Sequence, residues 1–156
     1  MSIKPKALAV SVAVPLAIGG LAALISGGGA EAYGALNRPA LSPPAWLFPV
    51  VWTVLYILMG VAAYLVAVSD ADSAQKRTAL LFYGVQLFFN FLWPIAFFNF
   101  GAYWFSFVWI LLLFALIFVT AVLFYRITPA AGWLLLPYLF WVAFASYLNF
   151  AVASPH

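Results

Sequence analysis

Charged side chains divide the chain into long apolar stretches. Residues 7–37 carry a single charge, Glu31, and none lies from Pro39 to Ser69, from Thr78 to Tyr125, or from Ile127 to the end. A helix needs about 20 apolar residues to cross a bilayer. The third stretch is long enough for two such helices and is interrupted by Asn99-Phe100-Gly101, a turn signal. The pattern therefore predicts five membrane-spanning helices, over about 6–26, 43–68, 74–98, 102–125 and 129–152. The expected fold is an all-α integral membrane protein, a five-helix bundle forming a single domain over residues 1–156.

Within each segment the spacing of the larger and more polar side chains predicts an inward face. The third is the plainest: Tyr83, Gln86, Asn90, Trp93 and Phe97 step by three or four along one stripe. An unpaired amide in hydrocarbon costs several kcal/mol, so Gln86 and Asn90 must face the bundle interior or water. As glue between helices, such contacts contribute about 0.6–2 kcal/mol each, and contact with a ligand is the other use. Trp52, Tyr56, Met59 and Ala63 form a stripe in the second segment, and Tyr138, Trp141, Ala145 and Leu148 one in the fifth, with Asn149 adjacent. The fourth, with rings near its ends and a nearly featureless middle, reads as a lipid-facing helix.

Prolines mark the segment ends. Ser42 is placed as an N-cap with Pro43 in the first turn, and Thr128 likewise with Pro129 behind it. Pro49 is expected to bend the second helix, and the fifth is expected to run on through Pro137. Four prolines, Pro39, Pro43, Pro44 and Pro49, stiffen the junction RPALSPPAWLFPVVWTVLY. Behind them Trp46, Trp52 and Tyr56 either anchor the chain at the membrane surface or line a pocket that the junction caps. The preceding loop, residues 27–42, is the longest and reads either as a lid or as a solvated connector. In the first segment, Lys4 and Lys6 before an apolar run, with Ala30-Glu31-Ala32 beyond, resemble a secretory signal, but the run exceeds the 7–15 residues of a signal core and favours a retained span. Gly19 and Ala23 have small-xxx-small spacing, suited to close helix packing.

Composition agrees with this class: 69% of residues are hydrophobic, 6% are charged, and the mean hydropathy is +1.16. Lys4, Lys6, Lys76, Arg77 and Arg126 fall on one side of the predicted topology and Arg38 on the other, which predicts the N-terminus inside. A net charge of +3, dispersed in this way, gives no nucleic-acid surface. Cysteine is absent and the one histidine is His156, so the sequence offers neither a thiolate metal site nor an axial haem ligand inside the bundle, and no cofactor is expected. Apart from Lys6, Lys76 and Arg77 in first turns, no acidic or basic residue is predicted within a span, and an ion-coupled transporter lacks its usual carriers. There is no phosphate-binding loop or nucleophilic triad. A neutral, aromatic cavity for a flat hydrophobic molecule remains.

Three blocks carry a family resemblance, in order and over nearly the whole chain. They are Leu36-Asn37-Arg38-Pro39 through Ser42-Pro43-Pro44, Phe48-Pro49 and Val51-Trp52 to Tyr56; Phe89-Asn90-Phe91-Leu92-Trp93-Pro94 with Phe97-Phe98; and Leu136-Pro137-Tyr138-Leu139-Phe140-Trp141 through Tyr147-Leu148-Asn149-Phe150. The sequence resembles the TspO/MBR family, the tryptophan-rich sensory proteins related to the translocator protein or peripheral-type benzodiazepine receptor. The resemblance implies a five-helix bundle, often homodimeric, in the cytoplasmic membrane of a bacterium. It also implies binding of porphyrins (protoporphyrin IX-like tetrapyrroles) and other flat hydrophobic ligands, such as isoquinoline carboxamides, in a pocket under the first loop. By position, Tyr33, Pro43, Trp52, Asn90, Trp93, Trp141 and Ala145 would touch the ligand, with Asn149 nearby.

For some bacterial members the resemblance further implies light-dependent porphyrin breakdown, with Trp52 and Trp141 as the participating, tentatively catalytic, residues. Two positions depart from the family pattern: Ala32 and Leu41 stand where tryptophans are frequent, so the loop is less aromatic. The segment after Tyr147 also lacks the Lys or Arg that completes the cholesterol-recognition pattern of animal members, which disfavours cholesterol. Three readings stay open: a porphyrin-binding sensor, a photo-oxidative enzyme, and a ligand-free scaffold filled by its own aromatic rings.

Overall fold

The computed structural model describes residues 3–26 and 43–154. The first loop, with Tyr33 and the Ser42 cap, lies outside the described residues. Within them the chain is helical, with no strand, and five helical stretches are long and apolar enough to cross a membrane. They are α1 (Pro5–Ile25); α2 (Leu47–Ala67); α3 (Ser73–Pro94), continued by a π-helical turn (Ile95–Asn99); α4 (Tyr103–Ile127); and the pair α5 (Pro129–Leu134) and α6 (Leu136–Ala153).

α1 is the outer member, with only Pro15 and Ala22 buried. It is held against α2 by the Ser11 hydroxyl, which donates to Gly60 O at 2.7 Å, and by the Lys4 backbone N–H, which donates to Tyr64 Oη at 2.7 Å. The absence of a side chain at Gly60 makes this approach possible, since a Cβ there would run into the backbone of Ser11 and Val12. The slim positions are thus used inside the chain.

Three expectations about the helices need correction. The second helix begins at Leu47 rather than Pro43, because Pro44 and Ala45 first accept single-turn bonds from Leu47 and Phe48. Pro49 therefore falls in the first turn, where a missing N–H breaks no intrahelical bond, and the bend expected there has no cause. The fifth helix is not continuous either: it breaks at Leu135, and Pro137 opens the first turn of α6. As a result α5 packs on α2 and α4, while α6 leans on α4.

The fourth segment is the largest departure. α4 buries Ser106, Ile110, Leu113, Ile117, Thr120 and Phe124, one full stripe at steps of three and four, between α3 and the α5–α6 pair. Phe105, Val108, Leu112 and Phe118 are exposed on its other faces. Trp109 Nε1 donates to the Phe89 carbonyl at 2.9 Å, and Thr120 returns its hydroxyl to Leu116 O at 2.7 Å. The core so formed joins Leu55, Met59 and Val66 of α2 to Ile110, Leu113 and Ile117 of α4 and to Tyr138 and Val142 of α6.

At the opposite end from the N-terminus, Pro94 withholds a backbone donor and the helix widens into the π turn, closed by Phe100 N–H on Ile95 O at 3.2 Å. Gly101, at φ 58°, then reverses the chain into α4 in a left-handed conformation that favours glycine. The turn signal at Asn99-Phe100-Gly101 is where the sequence puts it.

Candidate functional site

A cavity of about 180 Å³ lies at this end of the bundle, between the last turns of α1, the first half of α2, the end of α3 and α6. Its walls are largely apolar. α1 contributes only small residues, Gly19, Ala22, Ala23 and Ser26, and the rest is ring-rich: Phe48, Trp52, Tyr56, Trp93, Phe97, Phe98 and Trp141. Trp52 is at the centre. It stacks on Tyr56 at 5.6 Å and meets Tyr138 and Trp141 edge-on at 6.2 and 6.5 Å, while Phe48 closes on Trp141 at 5.5 Å. Such offset and edge contacts satisfy the ring quadrupoles and hold the rings in place.

Polar groups on the wall are mostly engaged. Asn90, 3% exposed, accepts from Tyr56 Oη at 2.8 Å and donates to Tyr138 Oη at 2.7 Å, which in turn donates to Gln86 Oε1 at 2.7 Å. Nearer the mouth, Trp93 Nε1 donates to Asn149 Oδ1 at 3.0 Å, and Asn149 Nδ2 to the Tyr103 carbonyl at 2.9 Å, tying α3, α6 and α4 together. Asn99 Nδ2 donates to Ile25 O at 2.9 Å and fixes the end of α1 to the π turn. Of the lining indoles only that of Trp93 is hydrogen-bonded among the described residues, and the Trp141 N–H is itself buried without a partner.

Six of the eight sequence-derived site residues meet on these walls: Trp52, Asn90, Trp93, Trp141, Ala145 and Asn149. Pro43 is described but is not among the lining residues, and Tyr33 lies outside the described residues. Both amides predicted to face inward do so, Gln86 at 1% and Asn90 at 3% exposure. Sequence reasoning missed the share of α1, whose Gly19 and Ala23 were assigned to helix packing alone, and the place of Phe97 and Phe98. Their signal was present in the third-segment stripe, which ends on Phe97.

Fold and cavity define an integral, multi-pass membrane protein built around an internal aromatic pocket. The chain belongs to the TspO/MBR family, whose model matches residues 11–154. It is 39% identical over 120 residues to the tryptophan-rich protein TspO of Chlorobaculum tepidum, covering 77% of this chain and 76% of that one. It is 38% identical over 120 residues to the tryptophan-rich sensory protein of Cereibacter sphaeroides, with 77% and 73% covered. Against the human translocator protein the identity is 36% over 129 residues, with 82% and 76% covered. These relations make it a membrane sensor or binding protein.

Proposed function

We propose that this protein binds porphyrins and other flat hydrophobic molecules in the aromatic cavity, and that Trp52, Asn90, Trp93, Trp141, Ala145 and Asn149 form its contact surface, with Tyr33 and Pro43 on the side of the first loop. The observation that carries this reading is the ring-lined cavity itself, where Trp52, Trp93 and Trp141 stand with Asn90 and Asn149 among them. A ring-lined site gains affinity from area, and a few polar groups among the rings orient a ligand in the plane. The volume is below the roughly 300–1,000 Å³ of ordinary small-molecule sites, so a tetrapyrrole must part the walls. The α1 side, built from small residues on the least buried helix, is the wall that yields.

The test is a titration of purified protein in nanodiscs with protoporphyrin IX in the dark, read by quenching of tryptophan emission. Saturable quenching, above that of empty nanodiscs, is the expected result. Quenching that never saturates, or that matches empty nanodiscs, rejects the reading. A second reading, photo-oxidation of the bound ring, is favoured by the perpendicular Trp52–Trp141 pair at 6.5 Å, which puts two oxidisable indoles on one wall.

We also propose that the chain pairs with a second copy in the bilayer. Gly19 and Gly60 are covered by Tyr56 and by α1, so the seam uses other faces; Gly20 and Gly84 have nothing within 4 Å. Crosslinking in intact membranes should recover a dimer, and monomer alone at high yield speaks against one.

A further inference from the structure

Tyr56, Asn90, Tyr138 and Gln86 form one hydrogen-bonded row across α2, α3 and α6, and only half of it touches the cavity. Tyr56 and Asn90 are on the wall; Tyr138 and Gln86 lie behind them, each 1% exposed. The donors all point one way, from Tyr56 to Asn90 Oδ1, from Asn90 Nδ2 to Tyr138, and from Tyr138 to Gln86 Oε1. Gln86 Nε2 is left buried with no partner.

A carboxamide turned end for end exchanges donor and acceptor with almost no change of shape. With both amides turned, the row reads backwards: Gln86 Nε2 donates to Tyr138, Tyr138 to Asn90 Oδ1, and Asn90 Nδ2 to Tyr56. Three bonds are made in either sense, and one polar atom of Gln86 is left over in either sense. What changes is the face shown to the cavity. In the first sense the Tyr56 proton is engaged and its oxygen can only accept; in the second the Tyr56 O–H is released and can donate.

We propose that Gln86, which does not line the cavity, is the positioning residue that lets this wall take ligands of either hydrogen-bonding sign: an aromatic N–H or O–H in one sense, a carbonyl in the other. The inference rests on the cavity being a ligand site. The ligand group itself selects the sense, because all four side chains are buried and their bonds polarise one another in series. Gln86→Met keeps the length of the side chain and removes the amide. The row then keeps two bonds in either sense, but the forward sense strands the Tyr138 proton in the buried core, whereas the reverse sense leaves the spare proton on Tyr56 beside the cavity. The variant is therefore locked in the donating sense.

Carbazole, 9-fluorenone and fluorene share one flat outline and carry N–H, C=O or CH₂ at the same ring position. Their retention by the full chain in nanodiscs, over empty nanodiscs, reads the wall directly. Wild-type protein should hold carbazole and fluorenone each about threefold to tenfold more tightly than fluorene, a hydrogen bond's share. Gln86→Met should keep the fluorenone advantage and lose that of carbazole. Fluorene held as tightly as the others, or a variant that still prefers carbazole, overturns the proposal. If none of the three binds while protoporphyrin IX does, the proposal alone falls; if protoporphyrin IX also fails, the cavity reading falls with it. Should the variant not fold, glutamine labelling of wild-type protein decides, since Gln75 and Gln86 are the only glutamines. Fluorenone should move the Gln86 side-chain amide protons downfield and carbazole should not; identical spectra in both complexes overturn the proposal.

Discussion

Gly19 of α1 faces the ring of Tyr56 on α2 so closely that a Cβ at Gly19 would overlap it. The same tyrosine holds Asn90 and lines the cavity, so a backbone position on the outermost helix sets the place of a polar wall group. Gly19→Val should push Tyr56 off Asn90 and destabilise the protein by about 1–3 kcal/mol through overpacking. Gly20→Ala, where nothing lies within 4 Å, should be neutral or raise stability slightly through helix propensity. Thermal unfolding of the two variants side by side checks this, and equal melting points contradict it.

Asn90 is hydrogen-bonded to tyrosines of two other helices. Of its two uses left open by the sequence, joining helices is therefore met directly, without reference to a ligand. Asn90→Leu should lower the stability of the ligand-free protein by about 1–3 kcal/mol, since it leaves the Tyr56 and Tyr138 hydroxyls short of a buried partner. An unchanged melting point would show that the two hydroxyls find other partners.

Trp52 and Trp141 carry the photo-oxidation reading. Replacing both by Phe keeps most of the ring area while removing the easily oxidised indoles. The variant should still bind protoporphyrin IX and should no longer show the light-dependent loss of the porphyrin absorption band. Equal loss with the double variant, or with porphyrin in protein-free detergent, leaves the two rings as packing.

Orientation follows from the five cations on the side of the N-terminus against Arg38 on the other. Lys4, Lys76 and Arg126 lie at the end of the bundle opposite the cavity, so the cavity end should face outside and both the N-terminus and the loop at residues 69–72 should face the cytoplasm. A reporter at the C-terminus should report an outside location; cytoplasmic activity would reverse the assignment.

The amino-acid sequence by itself determined the number of spans and the inward faces of three of them, because both follow from local quantities. Charges cannot be placed in hydrocarbon at low cost, so their spacing delimits the spans, and Gln86, Asn90 and Asn149 among rings mark the faces that must be paired. The fourth segment carried no such mark. In a bilayer an apolar side chain is solvated equally well by lipid and by protein, so Ile110, Leu113 and Ile117 look the same in sequence whether they are buried, as here, or not. That stripe, the break at Leu135 between α5 and α6, and the partners of the amides were settled only by tertiary packing. Those partners come from residues 34, 48, 52 and 56 positions away, and which hydroxyl meets which amide depends on helix rotations and offsets that no local pattern encodes.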